Sequence, residues 1–110
     1  NGLGRYEEAI RCFDKALEIA PGVIDAWYNK AVSLANLERC EEAVLCYDKT
    51  LELDPRNAAA WFNKARAEDS LAHSAETVFS YQQFLALDPF RQYSRQVEYA
   101  RKRLRELGGL

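Results

Sequence analysis

Residues 26–31 read AWYNKA and residues 60–65 read AWFNKA, so one hexapeptide recurs after 34 residues. The same spacing separates three prolines, each of which closes a helical hydrophobic pattern: Pro21, Pro55 and Pro89. Self-similarity at a fixed period of this length is typical of stacked helical repeats. The sequence therefore predicts a helical repeat array.

Hydrophobic periodicity predicts six helices and no strands. The predicted helices cover residues 5–19, 24–37, 41–53, 58–71, 75–87 and 90–107. A residue before proline is pushed out of the α region, so the helices are expected to end just before the prolines. The opening residues 1–4 match the end of a helix and its turn. We therefore expect the chain to begin inside a repeat and to be a piece of a longer array.

The recurring residues are a Trp early in each first helix, an aromatic residue in each second helix and a Leu-rich run before each proline. They are Trp27, Leu37, Ala43, Tyr47, Leu51, Leu53 and Pro55 in one unit, Trp61, Leu71, Tyr81, Leu85, Leu87 and Pro89 in the next, and GRYEEAI at 4–10 before both. This pattern resembles the tetratricopeptide repeat (TPR) family.

The resemblance implies an all-α fold, with helix-turn-helix repeats in a right-handed superhelical stack (an α-solenoid) and a C-terminal capping helix. Residues 1–110 would form a single domain. Its parts are a partial repeat at 1–23, a complete repeat at 24–57, a divergent complete repeat at 58–91 and the capping helix at 90–110.

Charge and composition favour a protein that binds other proteins over one that binds nucleic acid or membrane. The formal net charge is −2, and the first half is acidic while the second half is basic. This balance lacks the positive charge that counterion release from nucleic acid requires. No apolar run is long enough for a membrane span and no leader pattern opens the chain, so we expect a cytoplasmic location.

No residue pattern predicts catalysis, a metal site or a cofactor. The three cysteines, Cys12, Cys40 and Cys46, are odd in number and lack ligand spacing, and the single histidine, His73, falls in a predicted turn. Neither a disulfide framework nor a zinc site is expected. Nucleophile, phosphate-loop and dinucleotide motifs are also missing from the sequence. We therefore predict a non-enzymatic protein.

In the family that the chain resembles, the first helices of successive repeats line a concave groove that holds a peptide. Transferred to this sequence, the predicted groove residues are Asp25, Tyr28, Asn29, Val32, Asn36, Ala59, Phe62, Asn63, Arg66, Asp69 and Ser70. The amides of Asn29 and Asn63 suit capture of a ligand backbone. The alternative to a direct role in ligand binding is that Asn-Lys after an aromatic residue is simply part of the consensus sequence of this repeat. A chaperone-type carboxylate clamp is not expected, because Tyr28 and Phe62 stand where that clamp would use Lys.

Two alternative functions use other surfaces. The last helix has an apolar stripe (Phe90, Tyr93, Val97, Ala100, Leu104 and Leu107) and a basic remainder (Arg91, Arg95, Arg101, Lys102, Arg103 and Arg105). It is expected to be a solvating cap, with contact to nucleic acid or anionic membrane as the alternative. The first helix carries an apolar strip without a preceding partner helix, so a homodimer is the other alternative. That strip is Tyr6, Ile10, Phe13 and Leu17.

The second complete unit departs from the pattern at Glu68, which replaces the apolar equivalent Leu34. A carboxylate in a core stripe is costly. We therefore expect Glu68 either to reach solvent or to pair with a nearby Arg or Lys.

Overall fold

A computed structural model of the protein describes residues 2–87 and 93–109, which contain six α-helices and no strand. The helices are α1 (Gly2–Ile19), α2 (Ile24–Asn36), α3 (Cys40–Leu53), α4 (Ala58–Ser70), α5 (Ser74–Ala86) and α6 (Ser94–Leu107). Each helix packs on the next along the chain, and α2 also touches α4. The predicted all-α helical repeat fold is confirmed. None of these helices combines the length and apolar character that crossing a bilayer requires.

The predicted helix ends are close to the observed ones, with two corrections. Helix α1 already begins at Gly2, so residues 2–4 are helical where a turn was predicted. A glycine weakens a helix by only about 1 kcal/mol, which an established helix tolerates. Helix α6 begins at Ser94 because Tyr93 has non-helical backbone angles. Pro89, Phe90 and Arg91, which belong to the predicted proline spacing and last helix, lie outside the described residues.

Two apolar clusters form the core. The first contains Ile10, Ala31, Leu34, Ala43, Cys46, Tyr47, Leu51 and Ala60. The second contains Phe62, Ala65, Tyr81, Phe84, Val97, Ala100 and Leu104. Ala31 and Ala43 are fully buried where α2 and α3 meet, as small residues must be when two helix backbones approach. The larger Tyr47 fills the space beside them and is 1% exposed.

The same turn closes the first helix of both complete repeats. At the end of α2, Arg39 N–H donates to the Leu34 carbonyl at 2.9 Å and Glu38 N–H donates to the Ala35 carbonyl at 3.0 Å. This is the Schellman arrangement, which places its central residue in the left-handed region. Glu38 has φ 61° and its counterpart Ala72 at the end of α4 has φ 59°. Both positions therefore hold a conformation that favours glycine.

Paired contacts tie each second helix to the first helix that follows. The indole N–H of Trp27 donates to the Pro21 carbonyl at 2.8 Å, which anchors the loop before α2. Lys30 of α2 forms a salt bridge of 2.6 Å with Asp14 of α1. The next junction repeats both contacts: Trp61 donates to the Pro55 carbonyl at 3.0 Å, and Lys64 and Asp48 lie 2.7 Å apart.

Helix α6 covers the end of the stack as the predicted cap. Val97, Ala100 and Leu104 are buried against the second cluster, with exposures of 2%, 0% and 0%. Gly108 ends the helix with φ 81°, and the carbonyl of Gly109 accepts a hydrogen bond from the Gln82 side chain of α5. The chain beyond α6 is thereby fastened back onto the preceding helix.

The prediction for Glu68 is wrong. Glu68 is 4% exposed, and its carboxylate accepts a hydrogen bond of 2.6 Å from the hydroxyl of Ser80 on α5. Burial raises the pKa of Glu68, and the Ser80 hydrogen bond and nearby Lys64 oppose that shift. Ser80 is the repeat equivalent of Cys46, as Glu68 is of Leu34. An apolar pair in one repeat is therefore a hydrogen-bonded pair in the next.

The prediction that the apolar strip of α1 stays uncovered is also wrong for two of its four residues. Ile10 and Leu17 are each only 8% exposed, because α1 packs against α2 and Ile10 joins the first core cluster. Tyr6 and Phe13 are half-buried. Most of the apolar surface that suggested a dimer is thus used within the chain.

Candidate functional site

A pocket lies between the first helices of the two complete repeats, with part of its wall from α3. Its volume is about 190 Å³. We call it the inner pocket; its lining residues are Val32, Ala35, Asn36, Cys40, Tyr47, Asn63, Arg66, Ala67 and Ser70. The predicted groove residues among them are Val32, Asn36, Asn63, Arg66 and Ser70. The repeat stack therefore brings together side chains that lie about one period apart in the sequence.

Tyr28 and Asn63 connect the two walls. The amide nitrogen of Asn63 on α4 donates a hydrogen bond of 2.8 Å to the hydroxyl oxygen of Tyr28 on α2. Burial raises the pKa of the Tyr28 hydroxyl, and the hydrogen bond from Asn63 partly offsets the increase. The Tyr28 ring also packs edge-on against Tyr47, with centroids 6.0 Å apart. The Asn63 amide is thus held in place by the protein itself.

The other predicted groove residues lie elsewhere. Asn29 and Asp25 are exposed, Ala59 is half-buried, and none of the three lines the inner pocket. Phe62 is 8% exposed, because the rings of Phe84 and Tyr99 pack on it. Asp69 is held by two hydrogen bonds from Arg103 of α6. The predicted set thus divides between the inner pocket, the seams of the stack and the exposed surface.

The sequence-based reasoning missed the residues of the pocket wall that come from α3, namely Cys40 and Tyr47. It assigned the groove to first helices alone. The signal for Tyr47 was present in the sequence, because the aromatic residue of the second helix recurs at Tyr81. The structure explains the lysine of the repeated Asn-Lys sequence, because Lys30 and Lys64 each form a salt bridge to the preceding helix.

A larger pocket of about 520 Å³ lies on the other side of α2. We call it the outer pocket; its lining residues are Trp27, Lys30, Leu34, Glu42, Leu45, Cys46, Asp48, Lys49 and Glu52. Leu45 on its rim is 66% exposed. Charges of both signs surround this surface. It provides a comparison surface against which binding at the inner pocket can be tested.

Two titratable groups of α3 lie at the two pockets, Tyr47 at the inner pocket and Cys46 at the outer pocket. Burial raises the pKa of both the Tyr47 hydroxyl and the Cys46 thiol, which keeps them neutral at ordinary pH. All three cysteines are free thiols. Over residues 2–87 and 93–109, no group of three or more His, Cys, Asp and Glu side chains lies close enough together to hold a metal ion.

Sequence comparison finds the repeat at three places. Family models described as tetratricopeptide repeat match residues 2–23, 24–57 and 46–77. Together these matches run from the first helix into the fifth. A comparison with curated protein sequences gives no match.

Comparison of structures finds TPR domains of the same fold. The first TPR domain of Spaghetti (RPAP3), bound to the HSP90 peptide SRMEEVD, is 23% identical with a TM-score of 0.84, covering 96% of this chain and 82% of that one. The Arabidopsis OM64 TPR domain is 21% identical with a TM-score of 0.83, covering 94% and 83%. The TPR2B domain of yeast Sti1 in complex with pHsp70 is 21% identical with a TM-score of 0.80, covering 88% and 80%.

Proposed function

The chain belongs to the tetratricopeptide repeat family, and from that premise we propose that it is a non-enzymatic interaction scaffold that binds a peptide or an extended protein segment along the inner pocket. The observation that carries the proposal is the meeting of Val32 and Asn36 of α2 with Asn63 and Ser70 of α4 around one pocket. A surface that is part apolar and part amide or hydroxyl suits a peptide, which offers both side chains and backbone groups.

The related structures support the same class of function. The Spaghetti domain is bound to an HSP90 peptide, and the Sti1 domain is in complex with pHsp70. Their structural similarity supports the shared fold, and an identity of 21–23% does not carry their partners over to this chain. The side chains at Tyr28 and Phe62 argue against the same chaperone tails, because both are aromatic and Phe62 is buried beneath Tyr99.

The experiment places the same neutral side chain on two faces of the repeat at 24–57. Ala35→Gln intrudes into the inner pocket, and Leu45→Gln changes the outer pocket. Peptides selected from a displayed random library against the wild-type chain would be labelled, and their affinity for each variant measured by fluorescence anisotropy. We expect Ala35→Gln to weaken binding and Leu45→Gln to leave it intact. The reverse result would move the binding site to the outer pocket and refute the proposal.

The alternative surfaces stay predictions with their own tests. On the basic helix, Arg103 is engaged by Asp69 and Glu106, while Arg101 and Lys102 are exposed. Contact with nucleic acid or anionic membrane through them would weaken steeply with salt. Self-association through α1 would appear as a dimer in light scattering. A cytoplasmic location, where free thiols stay reduced, remains a prediction as well.

A further inference from the structure

A third pocket adjoins the inner pocket at Arg66 and lies between α4 and the capping helix α6. Its volume is about 330 Å³. We call it the end pocket; its lining residues are Phe62, Arg66, Arg95, Gln96 and Tyr99. Since Arg66 lines both pockets, a peptide that follows the inner pocket past Arg66 reaches the end pocket.

The charge of this surface has one sign. Arg66 and Arg95 are exposed, and no salt bridge engages either of them within the described residues. Among residues 2–87 and 93–109, no carboxylate lines the inner pocket or the end pocket. Exposed cations elsewhere, such as Arg101, also have no salt bridge in the part of the chain that the structure describes, but Arg101 lines neither the inner pocket nor the end pocket. Arg66 and Arg95 are distinguished because they share a concave, aromatic-walled space.

The fold also removes the carboxylate that would otherwise neutralise Arg66. Asp69 stands three residues after Arg66 on α4, a spacing at which Arg and Asp side chains pair on a helix. In the structure Arg103 holds Asp69 instead, through hydrogen bonds of 2.8 and 2.7 Å. The guanidinium of Arg66 lies over the Phe62 ring, 6.0 Å from its centroid, and its charge remains available.

Guanidinium groups donate paired, charge-assisted hydrogen bonds to carboxylates, and two of them beside an aromatic wall form a strong binding site for an acidic side chain. The Gln96 amide adds a neutral donor. We propose that the end pocket binds an Asp or Glu side chain of the bound peptide, with its carboxylate held by Arg66 and Arg95. This inference rests on the proposed function, because the peptide must first lie along the inner pocket.

The test compares two charge-matched double variants. Arg66→Gln with Arg95→Gln removes two positive charges from the end pocket. Arg101→Gln with Lys102→Gln removes two from the exposed surface of the same capping helix. The probes are the library-selected, fluorescein-labelled peptides and copies in which every Asp or Glu is replaced by Asn or Gln. Circular dichroism checks that all variants keep their helix content.

We expect the selected peptides to be enriched in Asp and Glu. The Arg66/Arg95 variant should bind them about tenfold or more weakly, the cost of losing one hydrogen bond to a charged group. For the wild-type chain, the amide copies should have an affinity lower by a similar factor than that of the acidic peptides. For the Arg66/Arg95 variant, the copies and the acidic peptides should bind with nearly equal affinity, because both changes remove the same contact. The Arg101/Lys102 variant should bind the peptides with an affinity close to that of wild type. Added salt should reduce the difference in affinity between wild type and the Arg66/Arg95 variant.

Failures of the two proposals are distinguishable. If the selected peptides are sensitive to Ala35→Gln but show no acidic enrichment and no response to the Arg66/Arg95 change, the carboxylate site is refuted and the groove proposal stands. Equal weakening by both double variants refutes the carboxylate site too, since it shows attraction to the basic helix as a whole. If no peptide is selected, or if Ala35→Gln has no effect on binding, the groove proposal fails and the carboxylate site fails with it.

Discussion

The guanidinium of Arg103 on α6 donates two hydrogen bonds to the carboxylate of Asp69 on α4, from Nε at 2.8 Å and from Nη2 at 2.7 Å. Both side chains are about three-quarters buried, with exposures of 25% and 21%. The pair fastens the capping helix to the last complete repeat. It also engages the carboxylate of Asp69, which stands three residues after Arg66 on α4, so we expect this one contact to affect both the stability of the stack and the charge of the end pocket.

Arg103→Gln should therefore have two effects. The thermal midpoint should fall, because α6 loses a paired contact while Asp69 keeps its partly buried charge. The affinity for acidic peptides should fall as well, because Asp69 becomes free to pair with Arg66. Differential scanning calorimetry and fluorescence anisotropy measure the two effects.

A second substitution separates the effect on stability from the effect on peptide affinity. Adding Asp69→Asn to the Arg103→Gln variant removes the competing carboxylate, so peptide affinity should recover even though the contact to α6 stays lost. Affinity that stays low in the double variant would show that α6 itself has moved, and the account of Arg66 would be wrong.

Two tyrosine hydroxyls should respond in opposite ways to removal. Tyr28 accepts a hydrogen bond from Asn63, so Tyr28→Phe should cost about 1 kcal/mol of unfolding free energy. The hydroxyl of Tyr81 is buried and has no hydrogen-bond partner among the described residues. Since an unpaired buried hydroxyl is unfavourable, Tyr81→Phe should be neutral or should stabilise by about 1 kcal/mol. Urea unfolding of both variants is the measurement, and a loss in both would mean that Tyr81 has a partner in solution.

The period of the sequence was sufficient to predict the helices and the buried face of the first complete repeat. Apolar residues at helical spacing, repeated after 34 residues, leave little freedom in how the helices stack, and Ala31, Leu34 and Tyr47 are buried as that pattern requires. The pattern does not say which neighbour a polar side chain meets at a helix seam. That depends on side-chain direction and on a partner one period away, as for Asp69 and Arg103. For this reason Asp69 was predicted to face the groove and lies in a seam instead.

Glu68 and Ser80 give a pH-dependent prediction. Burial raises the pKa of Glu68, so over the range between its ordinary pKa and the raised one the native state binds more protons than the unfolded state. The contribution of Glu68 therefore makes the protein less stable as pH rises through that range. Replacing the pair by its repeat equivalents, Glu68→Leu with Ser80→Cys, should remove this contribution and leave stability at neutral pH equal to or above that of wild type.

Urea midpoints at a series of pH values measure this effect. Glu98→Gln, a change at an exposed carboxylate on α6, is the matched control and should keep the wild-type pH profile. Ser80→Cys alone should destabilise by about 1–3 kcal/mol, because the buried carboxylate loses its hydrogen bond. If the double variant keeps the wild-type profile, Glu68 is not the group that titrates.

The left-handed residue of the second Schellman turn predicts a stabilising substitution. Ala72 has φ 59°, a conformation that costs a residue with a Cβ atom about 1–2 kcal/mol and costs glycine almost nothing. Glycine also has more conformational freedom in the unfolded chain, which offsets part of the expected stabilisation. Ala72→Gly should therefore raise the unfolding free energy by about 0.5–1 kcal/mol, the remainder after that offset. The same change at Ala16, an exposed position inside α1, should lower it by about 1 kcal/mol, because there the backbone is helical and only the entropic cost remains. A higher unfolding free energy for the Ala72 change together with a lower one for the Ala16 change would show that backbone conformation causes the stabilisation. A lower unfolding free energy for both changes would show that Ala72 is not held in the left-handed region in solution.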